Sequence, residues 1–191
     1  MTAPPSHVLD PDAIVKQLDD CGITHVITVP DYVMLSVYRA LESHGNARLV
    51  YCCTEDEAVT IAAGLHIGGA RPMVMMQNQG LYASLNAVRA IGLDARIPLF
   101  MMIGQFGREY RNLGRPAATS ARPLVRNCER ILDALEIPYV ACEADADIPE
   151  IGRAYRRAQD SEWPAAALIG TYTAWPAPSQ ADLVAAASQE D

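Results

Sequence analysis

Apolar and polar residues alternate in blocks of two kinds along the chain. Ile14, Val15, Leu18 and Cys21 recur at helical spacing and predict a first helix, opened by Asp10-Pro11 and stopped by Gly22. A short apolar run over 25–29 reads as a strand, and Pro30-Asp31-Tyr32 as the turn after it. Leu35, Val37, Tyr38 and Leu41 predict the buried side of a helix over 33–44, stopped by Gly45-Asn46. The same alternation continues with a short buried strand over 49–53, a helix from Thr54 to about Gly68, and a strand over 72–76. A polar turn over 77–80 leads to a helix carrying Leu81, Leu85, Val88 and Ile91, and then a strand over 98–103. Residues 104–121 read as a long loop, followed by a helix over 122–135, a strand over 139–142, a helix over 148–160 and a strand over 165–169. This alternation implies one α/β domain with an open, largely parallel six-stranded sheet and helices on both faces. Residues 1–9 are a Pro-rich lead, and the expected boundaries are a domain over 1–170 and a C-terminal tail over 171–191.

Composition narrows the partners. Half of the 191 residues are hydrophobic and one fifth charged, which suits a packed domain. The formal net charge of −8 disfavours nucleic acid and anionic membrane surfaces, both of which select basic fields. No apolar run approaches the ~20 residues of a membrane span, and no signal sequence opens the chain, so a cytoplasmic location is expected. Cys21, Cys52, Cys53, Cys128 and Cys142 form no Cys-x-x-Cys spacing and no cluster with His, which points to reduced thiols and to no metal ligands in this chain. Neither a Gly-x-Gly-x-x-Gly fingerprint nor a P-loop is present.

Chemistry concentrates in the stretch from Thr54 to Gly64. Thr54 and Glu57 have capping-box spacing, which accounts for Glu57 locally. Glu55 has no such local partner. On spacing alone it complements the helix dipole. Its place just after a strand is also where open α/β sheets put ligand chemistry. Ala58, Ala62, Ala63 and Gly64 are small enough for another backbone or a ligand to approach.

Three segments in order, Val29-Pro30-Asp31, Glu55 with its small-residue helix, and Met76 to Asn86, resemble the pyrimidine-binding (PYR) domain of thiamine diphosphate enzymes. The likeness is to the phosphonopyruvate and sulfopyruvate decarboxylases in particular and covers roughly residues 8 to 170. The resemblance implies that Glu55 hydrogen-bonds N1′ of the cofactor aminopyrimidine and so promotes the ylide that attacks a small 2-oxo acid. A positioned, partly desolvated carboxyl group suffices for that task. It also implies that Pro30 and Gln77 line the cofactor site, and that Asp31, Tyr32, Gln77, Asn78, Gln79 and Arg108 face substrate. From the residues alone, Asp31 is equally a turn residue beside a packed Tyr32, 77–79 a plain polar turn, and Arg108, Arg111 and Arg115 either an anion grip or solvated loop charges. Gln79, Tyr82-Ala83 and Gln105-Phe106-Gly107-Arg108 depart from the family pattern, and Phe106 points toward a less polar substrate.

The family's Gly-Asp-Gly segment, which holds the diphosphate through Mg2+, is missing. The expected organisation is therefore an α subunit active only with a separate diphosphate-binding (PP-domain, β) subunit that carries the magnesium ligands, in an α2β2 or larger assembly. The alternatives are a non-catalytic or regulatory module on the same fold, a carboligase acting on another 2-oxo acid, and an unrelated flavodoxin-like binder.

Overall fold

The computed structural model describes residues 8–173. Its framework is a six-stranded sheet of β1 (His25–Thr28), β2 (Arg48–Tyr51), β3 (Pro72–Gln77), β4 (Phe100–Gly104), β5 (Tyr139–Cys142) and β6 (Ala165–Ile169). The strand order is β2-β1-β3-β4-β6-β5, and every neighbouring pair is parallel. The helices are α1 (Pro11–Asp20), α2 (Leu35–His44), α3 (Glu55–Ile67), α4 (Asn78–Ala87), α5 (Pro123–Arg126), α6 (Cys128–Ala134) and α7 (Ile148–Ser161). Alternate residues of β3 serve opposite faces, as the two-residue period of a strand requires. Met73 and Met75 pack with residues of α1, α2 and α7, and Val74 and Met76 with residues of α3, α4 and α6. Phe100 and Tyr155 meet edge to face across the first of these layers, with centroids 5.6 Å apart.

Several expected elements differ in detail. Strand β2 is not buried: it is an edge strand, and Tyr51 is exposed. Leu35, placed on a buried helix face by its spacing, is also exposed. The expected polar turn over 77–80 does not exist, because β3 runs directly into α4 at Asn78. That helix continues as a π-helical segment, Val88–Asp94, whose Gly92 faces Pro164 and Leu99. The single helix expected over 122–135 is broken at Asn127 into α5 and α6. At the termini, Leu9 is fully buried and bridges Thr173, and Thr173 N–H donates to Val33 C=O. Packing therefore runs past the expected boundary at 170; the rest of the proposed tail lies outside the described residues.

Parallel strands place all their C-terminal ends on one edge. The chain steps from β1 outward to β2 and then back across to β3, so a switch point falls between β1 and β3. Open sheets of this kind bind ligands in the crevice beyond such a point.

Candidate active site

Beyond β2, Cys52 N–H donates to Thr28 C=O at 2.8 Å and ties this segment to β1. Thr54 is extended and the chain turns helical at Glu55. The capping box is not formed as its spacing suggests. Thr54 makes no side-chain cap; its hydroxyl instead holds the Asp56 carboxyl below the usual carboxylate range. Glu57 reaches one residue further back, and its Oε2 accepts from Cys53 N–H at 2.9 Å. Glu57 is thus a local structural residue, as its position implies.

Glu55 is different. It is half-buried, and its side chain lies against Gly80 in the first turn of α4. A Cβ on Gly80 would fall 2.3 Å from Glu55 Cγ and 2.7 Å from its Oε1, so any side chain at 80 would force the carboxylate from this position. Among the described residues no donor reaches the carboxylate.

Asp31, after β1, is fully buried. Its Oδ1 accepts from Val33 N–H at 2.9 Å, which is the turn role read from its position. Its Oδ2 is buried without a hydrogen bond and presses on Gly104, where a Cβ would lie 1.8 Å away. Burial pushes the carboxyl up to about 7, partly opposed by Val33 N–H and, more weakly, by the approach of the Gln77 amide, which forms no proper hydrogen bond to Oδ2. The backbone N–H of Asp31 donates to Tyr38 Oη at 2.8 Å; that oxygen lies 2.9 Å from Thr28 Oγ1, which itself donates to Met75 C=O at 2.7 Å. This relay fixes the loop after β1 to the ends of two strands.

The other candidate residues spread along the same edge. Gln77, the last residue of β3, is half-buried, and Pro30, on the loop after β1, is exposed. Asn78 is fully buried; its Nδ2 donates to Phe106 C=O and its Oδ1 accepts from Gln79 N–H, so it clamps α4 to the loop after β4. Gln79 is exposed. Tyr32 is not packed inside: it is 61% exposed and meets Phe106 and Tyr172 edge to face.

Arg108 points inward, contrary to a substrate-gripping role. Its side chain is 2% exposed and pairs with Glu143. Its Nε donates to Asn112 Oδ1, and its remaining N–H groups to Glu143 and to the carbonyls of Gly170, Asn112 and Arg115. All five donors of the guanidinium are engaged within the fold, which leaves none for an anion. Arg111 and Arg115 are exposed. Sequence reasoning passed over Gly80 and Gly104 as carboxylate seats and Tyr38 as an anchor; a glycine directly after a wholly apolar strand is the one signal that marks Gly104.

Among the described residues no group of three or more His, Cys, Asp or Glu side chains is placed to hold a metal ion. No helix among them is long and apolar enough to cross a membrane. A cavity of about 560 Å³ lined by Arg96, Arg157 and Trp163 lies at the opposite, N-terminal end of the strands.

An open, all-parallel sheet with two carboxyl groups, Glu55 and Asp31, set against glycines beyond its strand ends makes this an open α/β domain of the doubly wound class. Residues 11–127 match the thiamine pyrophosphate enzyme N-terminal TPP binding domain, and the chain belongs to that family. The sulfopyruvate decarboxylase subunit alpha of Methanocaldococcus jannaschii is 29% identical over 126 residues, spanning 66% of this chain and 72% of that protein. The subunit of the same name from Methanothermobacter thermautotrophicus is 27% identical over 139 residues, 73% of this chain and 81% of its own length. That from Methanococcus maripaludis is 25% identical over 128 residues, 67% and 74%.

Proposed function

We propose that this chain is the α (PYR) subunit of a split thiamine diphosphate-dependent 2-oxo acid decarboxylase. The observation that carries the reading is Glu55: a carboxylate at the strand edge, over Gly80, that no described donor satisfies. A ring N1′ needs such an acceptor or donor, and the open seat suits a flat aminopyrimidine. Bound there, the cofactor supplies an electron sink for the pair released when the C1–C2 bond breaks and carbon dioxide leaves. This chain's residues hold and orient. Glu55 holds the proton at N1′; Gln77 and Pro30 border the same edge; Asp31, with its raised pKa, stands ready to exchange a proton beside the substrate. Asn78 keeps α4 and the loop after β4 in register. The domain extends over about residues 1–170 with the short extension to Thr173.

The diphosphate and its Mg2+ belong to a separate β subunit, since this chain offers no described metal-ligand cluster. Three of the relatives are named as a subunit alpha, which supports a two-chain organisation. The test is Glu55→Gln in the reconstituted complex. An amide cannot exchange the N1′ proton, so turnover is expected to fall at least ~100-fold with assembly unchanged. Unaltered carbon dioxide release would reduce Glu55 to a helix-start charge and leave a non-catalytic module as the better reading.

A further inference from the structure

The loops after β1, β4 and β6 each send one aromatic side chain to a common point. Tyr32 stands at its centre, with Phe106 6.4 Å and Tyr172 6.3 Å away between ring centroids, both edge to face. Tyr32 remains 61% exposed, so this cluster is a surface that a ligand can cover and not a finished core. It adjoins the buried, unpartnered Oδ2 of Asp31, and a crevice of about 10 Å³ beside it is bordered by Gln105 and Tyr172. Gln105 Oε1 is a second buried acceptor without a donor.

Resting on the decarboxylase reading above, we propose that the 2-oxo acid taken by this site carries an aromatic or similarly bulky apolar group, and not a second anion. A sulfonate or phosphonate needs donors or a cation to replace its hydration. Here the neighbours of the strand-end loops are mainly ring faces and edges, with a carboxyl group and only neutral donors, the amides of Gln77 and Gln105 and the tyrosine hydroxyls, facing the cluster. Arg108, the buried one of the loop's three arginines, turns inward and has every N–H engaged, while Arg111 and Arg115 are exposed. Arg122 is a cation close to the cluster, with its guanidinium near Gly107 and its charge felt at the Tyr172 hydroxyl, and its part is settled by the variant below. An aromatic substituent instead completes the edge-to-face cluster and covers Tyr32. Tyr32, Phe106 and Tyr172 are thereby the specificity-determining residues.

The experiment uses the chain assembled with its β subunit and measures carbon dioxide release from phenylpyruvate, 3-sulfopyruvate and pyruvate. The expected kcat/KM for phenylpyruvate exceeds that for 3-sulfopyruvate by at least about tenfold, the scale a hydrophobic contact supplies. Phe106→Arg is expected to reverse that ratio. Because Phe106 is partly buried, Tyr32→Ala provides a second arm on an exposed residue: the phenylpyruvate-to-pyruvate ratio falls several-fold. Arg122→Ala is expected to leave the ratios alone. Preference for 3-sulfopyruvate in the wild type, or its loss on Arg122→Ala, overturns the aromatic assignment while leaving the decarboxylase intact. An assembled complex that releases carbon dioxide from none of the three acids strikes down the decarboxylase reading, and the substrate assignment with it.

Discussion

Asp31 is held where a carboxylate is poorly solvated, and the protein's stability should register it. The group titrates near 7 in the folded state against an ordinary value of 3.8. Between those limits the folded protein keeps a proton that the unfolded chain has released. Its contribution to stability is therefore complete below about 4 and is lost as pH rises to about 7. Asp31→Asn keeps an oxygen for Val33 N–H and removes the titration. Urea midpoints of the variant should stay flatter than those of the wild type across that window, and equal slopes would mean that Asp31 is solvated. Gly80 allows a second test at this scale. Alanine is the better helix former, yet its Cβ would sit 2.3 Å from Glu55 Cγ and displace the carboxylate. Gly80→Ala should keep its circular dichroism and lose activity about 100-fold, since an ångström of misplacement costs that much. Full activity would show that Glu55 has room to adjust.

At the scale of elements, the segment after β4 is the least like its sequence. Three arginines among Gly and Pro suggest an open, solvated loop over 104–121. Instead Arg108 is its internal pin, joining the carbonyls of Asn112 and Arg115 to Glu143 after β5. Lysine cannot reproduce the five-donor fork. Arg108→Lys should cost about 2–4 kcal/mol by denaturant titration, as buried acceptors are left unmet. It should also expose the loop to protease; a change under about 0.5 kcal/mol would mean that the segment is held by other contacts. The strands, by contrast, were legible, because a parallel sheet covered on both faces needs short, continuous apolar runs set between helical periods. Edge exposure of β2 was not, since neighbour order along a sheet is a tertiary property that Leu49 and Val50 do not encode. Nor was the end of β3: Gln77 to Gly80 has turn composition, but Gly80 is there to admit Glu55 and not to bend the chain. Of the candidate site, Glu55 stood out because it follows a strand and is not consumed by local capping, whereas Asp31 also fills the turn role its position suggests. Arg108 misled because charge on a loop says nothing about which way it turns.

Over the whole molecule, the described strand-end edge is built around carboxyl groups. Its carboxylates, Glu55 and Asp31, line the edge where the pyrimidine is proposed to sit, and the chain's net charge is −8. A diphosphate brought to that edge without compensating cations meets like charge, and no described cluster can hold magnesium to bridge them. The outer side of α3 is open among the described residues. Gly64 there has no heavy atom within 4 Å of where a Cβ would lie, and Ile67 is 75% exposed. The purified chain alone is therefore expected to show no saturable thiamine diphosphate binding by calorimetry at micromolar concentration, with or without Mg2+, and no carbon dioxide release. Titrating in the β subunit should yield both together, with the stoichiometry read by sedimentation. Tight cofactor binding by the isolated chain would place the diphosphate site within it and remove the need for a partner.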